Sequence, residues 1–404
     1  MNPFAIFANS LIFLVGLGFI ANQPALAQEL AKQVEKQLVA AGDNRSEIER
    51  ALAGVPEEQK ESMRFLVAWM TEADLQKLGA GQLVENVLLA NNVRSLAPWQ
   101  QHIPDEIFNN YVLPHVCIDE PRDPWRADFH QRFWPLVKDC KTAAEAAQIL
   151  NQKVFAEVGV KYSTGRRRAN QSPRESIEQG LASCSGLSVI LVDACRSVGV
   201  PARIAGIPKW ANKQGNHTWV EVWDGDWHFT GAAEYDAQGL DRAWFTNDAA
   251  QADPESKLSS IYAVRYEPTG IHFPIPWDPR NKTVHAVNVT ERYTKQRVAL
   301  PEGFARVLFS AKDASGRRVA LEVRLSPRID DQQLIEGEEE FRGETRDESR
   351  DTNEFLELVL QKGQEFQITV TDGTDKQKTW LFRTDDQDQQ VIAFEWPKEA
   401  EDKF

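Results

Sequence analysis

The sequence predicts an α+β protein in three parts: a helical N-terminal region, a mixed core and a C-terminal β-sandwich. Three observations lead to this class. Apolar residues recur every three or four positions over residues 28–101, an apolar helix pattern precedes alternating strand patterns in mid-chain, and short β-branched and aromatic segments dominate after residue 277. We therefore expect the helical region at 28–105, the core at 106–276 and the sandwich at 277–404.

Composition is that of an ordinary globular protein, with 42% hydrophobic and 26% charged residues. The net charge of −14 argues against a surface that binds nucleic acid or an anionic membrane. Four cysteines are too few for a disulfide framework, although Cys117 and Cys140 could form one bridge. Because no metal-binding spacing of cysteine and histidine occurs in the sequence, we expect neither a metal nor a cofactor.

The first 27 residues have the pattern of a secretory signal peptide. Residues 6–20 are almost wholly apolar, and Ala25-Leu26-Ala27 supplies the small residues that a signal peptidase accepts. The apolar run is short for a membrane span, so we expect no transmembrane segment in the mature chain. We predict export to the periplasm, the cell surface or the medium. Because the segment lacks lysine and arginine, an apolar first helix or an uncleaved anchor stays open.

Helix and strand patterns follow the N-terminal region. Apolar spacing predicts helices at 125–138 and 142–158, and Ser172-Pro173 opens a further helical stretch that runs to Val198. Strands are predicted at 202–207, 217–223 and 227–230 in the core, and at 284–289, 305–311, 318–325, 355–360, 365–370, 378–382 and 391–394 beyond it. The last seven suggest an Ig-like β-sandwich. We expect the acidic insert at 330–353 to be a solvated or mobile loop, with a calcium site as the alternative.

Cys184 lies where nucleophile chemistry would be favoured. It follows the small, polar stretch Gly180-Leu-Ala-Ser and opens the apolar helix pattern from Leu187 to Val198. A thiol at a helix start meets the positive end of the helix dipole and free backbone N–H groups. Both favour the thiolate, and the same N–H groups can hold an oxyanion. Cys195 lies well inside the helix pattern, so we interpret it as a core residue.

His217 is the candidate base. In Asn216-His217-Thr-Trp219-Val-Glu221, the side chains of His217, Trp219 and Glu221 share one face of a predicted strand. A histidine near a strand start, beside a helix that carries a cysteine, can deprotonate the thiol and later protonate the leaving group. Either residue alone is more often structural, and the combination carries the hypothesis.

These residues stand in a motif string that resembles the core of the transglutaminase-like superfamily. The string joins Cys184, Gly199-Val-Pro-Ala-Arg203, His217-x-Trp-x-Glu221 and Trp227, and the likeness runs from Pro173 to Trp244. The resemblance implies a papain-like α+β core, with the cysteine on a helix packed against an antiparallel sheet that carries the histidine. Carried over by position, Cys184 is the nucleophile and His217 the base.

The third member of the expected triad departs from the pattern. The superfamily usually places an aspartate four residues beyond the strand tryptophan, where this chain has Gly231. Peptide N-glycanases, which belong to the superfamily, carry a glutamate at the place that matches Glu234. We therefore predict Glu234 as the orienting acid, with Asp236 second. The alternatives are a histidine oriented by a backbone carbonyl or water, or a degenerate site.

Substrate-contacting groups are also predicted from position. The Gln171 side-chain amide is the candidate oxyanion donor, although a loop amide that caps the Ser172-Pro173 turn is an equal alternative. Trp210 and Trp219 are candidates to line an acyl-binding groove. For Trp219 a core position is the favoured reading, whereas Trp210 lies in a polar loop where exposure is plausible.

The chemistry common to such sites is attack by a thiolate on an amide or ester carbonyl, which gives a thioester. We predict a hydrolase of a peptide or related amide. Protein cross-linking and peptide-N-glycan amidase activity are the alternatives within this chemistry. A non-catalytic module that binds a peptide or glycan is the alternative outside it, and Gly231 is the feature that supports it. The sandwich is expected to bind a polymer, the cell envelope or a partner.

Overall fold

The computed structural model describes residues 23–328, 340–374 and 376–396, and it confirms an α+β protein. The predicted signal peptide, residues 1–27, thus lies almost wholly outside the described residues. No helix in the described part of the chain combines the length and the apolar character needed to cross a membrane. The chain divides into two compact units, residues 1–88 and 89–404.

The first unit is helical, as the apolar spacing predicted. Its helices are α1 (Gln23–Ala40), α2 (Arg45–Ala53), α3 (Lys60–Ala68), α4 (Glu72–Leu75) and α5 (Ala80–Leu96), the last of which continues into the second unit. Leu38, Ile48 and Leu66 are buried among these helices. The side chain of Asn44 donates hydrogen bonds to the carbonyls of Leu75, the last residue of α4, and of Leu78, in the segment that follows, at 2.7 and 2.9 Å.

The second unit contains the predicted core and sandwich. Its described helices are α6 (Asp105–Tyr111), α7 (Trp125–Val137), α8 (Ala143–Val158), α9 (Pro173–Gln179), α10 (Cys184–Ser197), α11 (Thr246–Ala249) and α12 (Thr290–Thr294). Its described strands are β1 (Lys161–Tyr162), β2 (Leu181–Ala182), β3 (Ala202–Ile207), β4 (His217–Trp223), β5 (Trp227–Thr230), β6 (Tyr262–Arg265), β7 (His285–Asn288), β8 (Phe304–Asp313), β9 (Glu322–Arg328), β10 (Phe341–Glu344), β11 (Leu356–Gln361), β12 (Glu365–Thr371), β13 (Gln377–Arg383) and β14 (Gln389–Trp396).

The helical stretch predicted from Ser172-Pro173 to Val198 is broken in two. Ser172 caps α9 and forms a reciprocal capping box with Glu175. Gly180 then ends α9 in the left-handed region, with φ of +69°, a conformation that glycine adopts without a Cβ clash. After the short strand β2, Ser183 caps α10, so Cys184 becomes the first residue of a new helix.

The core sheet has the strand order β5-β4-β3-β6-β7 in the described residues, and every neighbouring pair is antiparallel. Helix α10 packs against β3 and β4 and also contacts α7 and α8. From Ser185 to Ser197 it is buried, and it thus runs through the centre of the core. This packing brings the start of α10 close to the start of β4.

A buried ion pair joins the two central strands. Arg203 of β3 donates from Nε to Glu221 Oε2 of β4 at 2.7 Å, and both side chains are at most 3% exposed. The other Glu221 oxygen accepts from Arg292 at 2.6 Å and from the Tyr293 hydroxyl at 2.8 Å. The Arg203 guanidinium also lies 3.7 Å from the centre of the Trp227 ring. These motif residues therefore brace the sheet that carries His217.

The C-terminal strands form two sheets, ordered β10-β9-β12-β13 and β11-β8-β14 within the described residues. Phe309 of β8, Leu325 of β9, Ile368 of β12 and Phe394 of β14 share one buried cluster, so the sheets enclose a common core. The β14–β8 pair is parallel, whereas the other pairs are antiparallel. The Ig-like character of this sandwich stays a prediction.

Two expectations about this region are corrected. The strand expected at 284–289 exists as β7, but it pairs with β6 and completes the core sheet, so the core continues past the boundary expected at residue 277. The 330–353 insert was expected to be a solvated or mobile loop, but residues 341–344 form β10 and later residues pack against the core. The charged composition of the insert did not predict this order, because the sequence does not show that these charged groups pair with one another. Residues 329–339 lie outside the description.

Candidate active site

Cys184 is held at the N-terminus of α10. The Ser183 hydroxyl accepts a hydrogen bond from Gly186 N at 3.0 Å and donates one to Ala169 O at 2.5 Å, which fixes the helix start. Cys184 is partly exposed, whereas the rest of α10 through Ser197 is buried. The thiol therefore faces a cleft at the positive end of a helix dipole.

His217 lies at the start of β4, paired with Ile207 of β3. Its side chain is almost fully buried, and its ring lies 4.8 and 4.9 Å from the ring centres of Trp244 and Phe245. Trp210 stacks near it at 6.2 Å. The aromatic surroundings fix the plane of the imidazole, which is a requirement for a base that must point at one thiol.

The acid in contact with His217 is Asp351. Its Oδ2 lies 3.4 Å from His217 Nδ1, and its side chain is 3% exposed. The other carboxylate oxygen accepts hydrogen bonds from the backbone and side-chain nitrogens of Asn353, each at 2.8 Å. The Cys184 sulfur, a ring nitrogen of His217 and a carboxylate oxygen of Asp351 all lie within 4.8 Å of one another. The structure thus brings a thiol, an imidazole and a carboxylate together.

The charged groups of this site shift one another's pKa values. Burial alone would lower the pKa of His217, but the Asp351 carboxylate and the Cys184 thiol outweigh burial and hold the pKa well above its usual value. Burial would raise the pKa of Asp351, and the His217 charge and the Asn353 hydrogen bonds lower it. Burial, followed by the negative charge of Asp351, raises the pKa of the nearby Tyr162 hydroxyl to about 12. The arrangement favours an imidazolium beside a carboxylate.

Asp351 comes from the segment between β10 and β11, residues 345–355, which we name the Asp351 loop. The Thr345 hydroxyl donates to Val319 O at 2.8 Å and accepts from Leu321 N at 3.0 Å, which anchors the loop to the sandwich. Arg318 donates to the Asp351 carbonyl at 2.8 Å. The buried Glu354 accepts from Arg346 at 2.7 Å and from Arg350 at 2.8 Å. The loop is therefore ordered by its own charges.

The same loop is bound to the core. Asn353 donates from Nδ2 to the Asn216 carbonyl at 2.8 Å, immediately before His217. Lys213 donates to the Asn353 carbonyl at 2.8 Å, and Thr352 N donates to the Tyr162 hydroxyl at 3.2 Å. These contacts place Asp351 against His217. They also make Ser349, Arg350 and Asp351 part of a cleft of about 150 Å³ that Cys184 and His217 line.

Glu234, the acid predicted from the sequence, also lines this cleft, but it forms no ion pair with His217 in the described structure. Burial raises the pKa of Glu234 to about 7, against the opposing effects of the His217 charge and the Trp244 indole. Asp236, the second candidate, lies 3.4 Å from Arg242 Nε in a neighbouring groove. The sequence pattern therefore predicted an acid that lines the cleft, Glu234, but it did not predict Asp351, the carboxylate that pairs with the histidine.

The other predicted contact residues lie behind the cleft surface. Gln171 is fully buried and donates from Nε2 to Leu181 O at 3.1 Å, so its amide serves the backbone of β2. Trp210 is 1% and Trp219 is 0% exposed, and their rings stack at 6.4 Å. Trp219 donates to the Tyr293 hydroxyl at 2.7 Å. The exposure expected for Trp210 was wrong because the loop before β4 folds it into the core.

Cysteines other than Cys184 have no access to the cleft. Cys117, Cys140 and Cys195 are buried free thiols, so the bridge considered between Cys117 and Cys140 is not formed. Cys117 donates to Asp193 at 3.2 Å within the core. Burial raises the pKa of Cys195 well above its usual value, as its interior position in α10 predicts.

The spacing of the thiol, imidazole and carboxylate also suits a soft divalent cation such as zinc, which takes these three ligand types. The same three groups, taken without a metal, have the order nucleophile, base and orienting acid. Asp351 pairs with His217, and Cys184 is the first residue of α10. The arrangement can therefore generate a thiolate and return a proton to a leaving group, and backbone N–H groups at the helix start can hold an oxyanion.

Comparisons with known proteins agree with this geometry. Residues 134–248 match the family model of the transglutaminase-like superfamily, so this part of the chain is a transglutaminase-like domain that contains Cys184 and His217. The match supports a cysteine enzyme in the broad sense and leaves the reaction open. A comparison of the sequence with curated proteins gives no match.

Three solved structures are similar to parts of this chain at low identity. A transglutaminase from red sea bream is 9% identical, with a TM-score of 0.29, and the likeness covers 71% of this chain and 65% of that one. A candidate cysteine protease from Cytophaga hutchinsonii is 18% identical, with a TM-score of 0.24, over 34% of this chain and 46% of that one. A candidate protease from Parabacteroides distasonis is 8% identical, with a TM-score of 0.23, over 50% and 34%. The chain thus spans less than two thirds of each.

Proposed function

We propose that this chain is a thiol hydrolase that cleaves peptide or related amide bonds through a thioester on Cys184. The observation that carries the proposal is the position of His217, which lies within 4.8 Å of both the thiol and the Asp351 carboxylate. His217 acts as the base and Asp351 as the acid that orients it. This replaces Glu234 as the third member, because Asp351 is the carboxylate that pairs with the imidazole.

Each step of the proposed reaction uses a group that lines the cleft or begins α10. The Cys184 thiolate attacks the carbonyl carbon, and the resulting oxyanion is held by backbone N–H groups at the start of α10. The His217 imidazolium gives its proton to the leaving nitrogen as the C–N bond breaks, which leaves a thioester. Neutral His217 then takes a proton from water, and the hydroxide equivalent releases the acid and restores the thiol. Asp351 keeps the ring oriented and supports its positive charge.

We favour hydrolysis over cross-linking and over peptide-N-glycan cleavage because Cys184 is partly exposed, so water can reach a thioester formed on it. Export through the N-terminal signal peptide is part of the proposal, and so is the binding of an envelope polymer or a partner by the sandwich. Sequencing the N-terminus of the secreted chain tests export, since cleavage as proposed leaves Gln28 first.

Trapping with a thiol-reactive peptide electrophile tests the thiol chemistry. We expect rapid labelling that maps to Cys184 alone, because the other cysteines are buried. His217→Ala should slow labelling strongly, whereas Cys195→Ser should leave it unchanged. Slow labelling of equal rate in the wild type and in His217→Ala would contradict an activated thiolate and favour the non-catalytic binding module. Turnover of quenched peptide pools by the wild type, lost in Cys184→Ser, then tests hydrolysis.

A further inference from the structure

Two open grooves adjoin the catalytic cleft. The first has a volume of about 540 Å³, and we name it the Arg242 groove after an exposed arginine that lines it. Its lining is mainly residues 235–246, and it shares Ala233, Glu234 and Arg350 with the cleft. A bound chain that leaves the cleft past these three residues therefore enters the Arg242 groove.

The second groove meets the cleft at other residues. It has a volume of about 380 Å³, and we name it the Arg317 groove after an exposed arginine in its lining. It shares Lys161, Tyr162 and Ser349 with the cleft, whereas the two grooves share no lining residue with each other. The cleft, and with it Cys184, therefore lies between the two grooves. We name the three cavities together the trench.

One segment follows the trench along its whole course. Consecutive residues of the Asp351 loop line the three cavities in turn: 347–349 line the Arg317 groove, 349–351 line the cleft, and Arg350 also lines the Arg242 groove. The core supplies β1 at the first two cavities and residues 232–246 at the last two. The trench therefore runs along the seam where the sandwich meets the core.

The volumes indicate where a substrate would be held. Pockets that bind a small molecule usually have volumes of about 300–1,000 Å³. The cleft, at about 150 Å³, is smaller than this range, whereas both grooves lie within it. Most binding contacts of a substrate would thus fall in the grooves, away from the bond that Cys184 attacks. Contacts of this kind are the ones that enzymes use to align a reacting bond.

The charges of the two grooves are close to balanced. Three cationic and three anionic side chains line the Arg317 groove, and Arg317 pairs with Asp313 at 3.0 Å. Two arginines and three acids line the Arg242 groove, where Asp236 lies 3.4 Å from Arg242 and burial raises the pKa of Glu234 to about 7. A polyanion or a polycation would gain little from such surfaces. The donors and acceptors that alternate along a peptide backbone suit them better.

We propose that the trench binds an extended polypeptide segment on both sides of the bond that Cys184 attacks, so that the enzyme cuts within chains rather than at their ends. A site that trims chain ends closes on one side and binds the charged terminus, whereas both grooves here are open to solvent. The proposal rests on the proposed function for the attack itself, and it names the substrate class as internal segments of polypeptides.

Binding to the inactive Cys184→Ser chain tests the trench without turnover. The probes are two mixed-sequence peptide pools, each with a fluorescein-blocked N-terminus and an amidated C-terminus. Their members have about four and about twelve residues, which span about 14 and 40 Å when extended. Fluorescence anisotropy should show that the long pool binds at least about tenfold more tightly, because only a long chain reaches both grooves. Equal affinities for the two pools would overturn the proposal.

Arg242→Trp and Arg317→Trp, each made in the Cys184→Ser chain, place a bulky ring in one groove. These arginines are 51% and 68% exposed, so the fold does not depend on them. Each variant should weaken binding of the long pool by at least about threefold and leave the short pool unchanged. Arg132→Trp is the matched control, because Arg132 is an exposed, acid-paired arginine that lines none of the three cavities.

A loss in only one of the two groove variants, or in neither, would contradict binding on both sides of Cys184. If a variant does not fold, Asp236→Trp or Ser163→Trp fills the same groove. With the active chain, mass spectrometry of the digested long pool should show cuts away from both ends, and cuts confined to a terminal residue would overturn the proposal. Failure of Cys184 labelling with the binding results intact would overturn the hydrolase alone.

Discussion

His217 Nδ1 and Asp351 Oδ2 lie 3.4 Å apart, although the two residues belong to the core sheet and to a loop of the C-terminal sandwich. The Asn353 side chain joins the same two parts, because it donates both to Asp351 Oδ1 and to the Asn216 carbonyl. The sandwich thus completes the candidate site and is more than an appendage to it.

Replacing the carboxylate tests its role directly. We expect Asp351→Asn to slow acylation of Cys184 by about a thousandfold, because an asparagine neither orients the ring in the right tautomer nor supports its charge. Glu234→Gln should change acylation by an uncharged substrate by no more than about threefold. Stopped-flow acylation with an activated ester measures both. A large loss in Glu234→Gln with little loss in Asp351→Asn would restore Glu234 as the orienting acid.

The pH dependence of acylation should shift in the same variant. Burial favours neutral His217, and Asp351 is the first of the groups that raise its pKa above 6.5, so Asp351→Asn should lower this pKa. The alkaline limb of kcat/KM, where the imidazolium is lost, should therefore move to lower pH. In the wild type the stability gained from charged His217 is present below pH 6.5 and lost as pH rises through the folded pKa. Titrating the His217 ring protons by NMR provides an independent check, and an unmoved pKa would contradict the ion pair.

The docking of the Asp351 loop can be disturbed at a distance from the acid. Gly215 has φ of +93°, and a Cβ there would overlap the Asn353 side chain. Gly225 has φ of +88° with nothing within 4 Å of the added Cβ, which makes it a matched control. Both alanine variants should lose about 1–2 kcal/mol of stability from backbone strain. Only Gly215→Ala should also lose activity, by about a hundredfold through misplacement of Asp351. Equal activities would show that the loop contact is dispensable.

The brace beneath β4 should contribute to stability rather than to chemistry. Glu221→Gln leaves Arg203 buried without its counter-charge, so we expect a loss of about 3–5 kcal/mol in the free energy of unfolding. Asp128→Asn removes an exposed pair with Arg132 and should cost at most about 0.5 kcal/mol. Urea unfolding followed by tryptophan fluorescence measures both. Similar losses in the free energy of unfolding in the two variants would contradict a stabilising role for the buried pair of Arg203 and Glu221.

Site residues that stand in local sequence patterns could be predicted, whereas the one that depends on contacts distant along the chain could not. Cys184 and His217 could be predicted because a helix start and a strand start leave local patterns, and because both stand in a compact motif string. Asp351 could not, since it lies in a polar stretch whose several acids look alike and carry no periodicity. Its position depends on contacts with Asn353, Lys213 and Tyr162, which exist only where the sandwich packs against the core.

Three smaller features of the structure could not be predicted from the sequence: the burial of Trp210, the pairing of residues 285–288 and the role of Gly231. Trp210 stands among polar residues, yet it is buried because the loop before β4 turns inward and stacks it on Trp219. The strand at residues 285–288 has the same alternation as those of the sandwich, and only its pairing with β6 assigns it to the core. Gly231 marked a departure from the family pattern, but the sequence could not reveal that the glycine makes room for Glu234.

The origin of Asp351 also orders events during synthesis. Ribosomes make the chain from its N-terminus, so Cys184 and His217 leave the exit tunnel before residues 345–355 exist. Until residues 345–355 have been made, the polypeptide contains the cysteine and the histidine but not the carboxylate. Chains that stall or are clipped before residue 351 therefore lack the acid that pairs with His217.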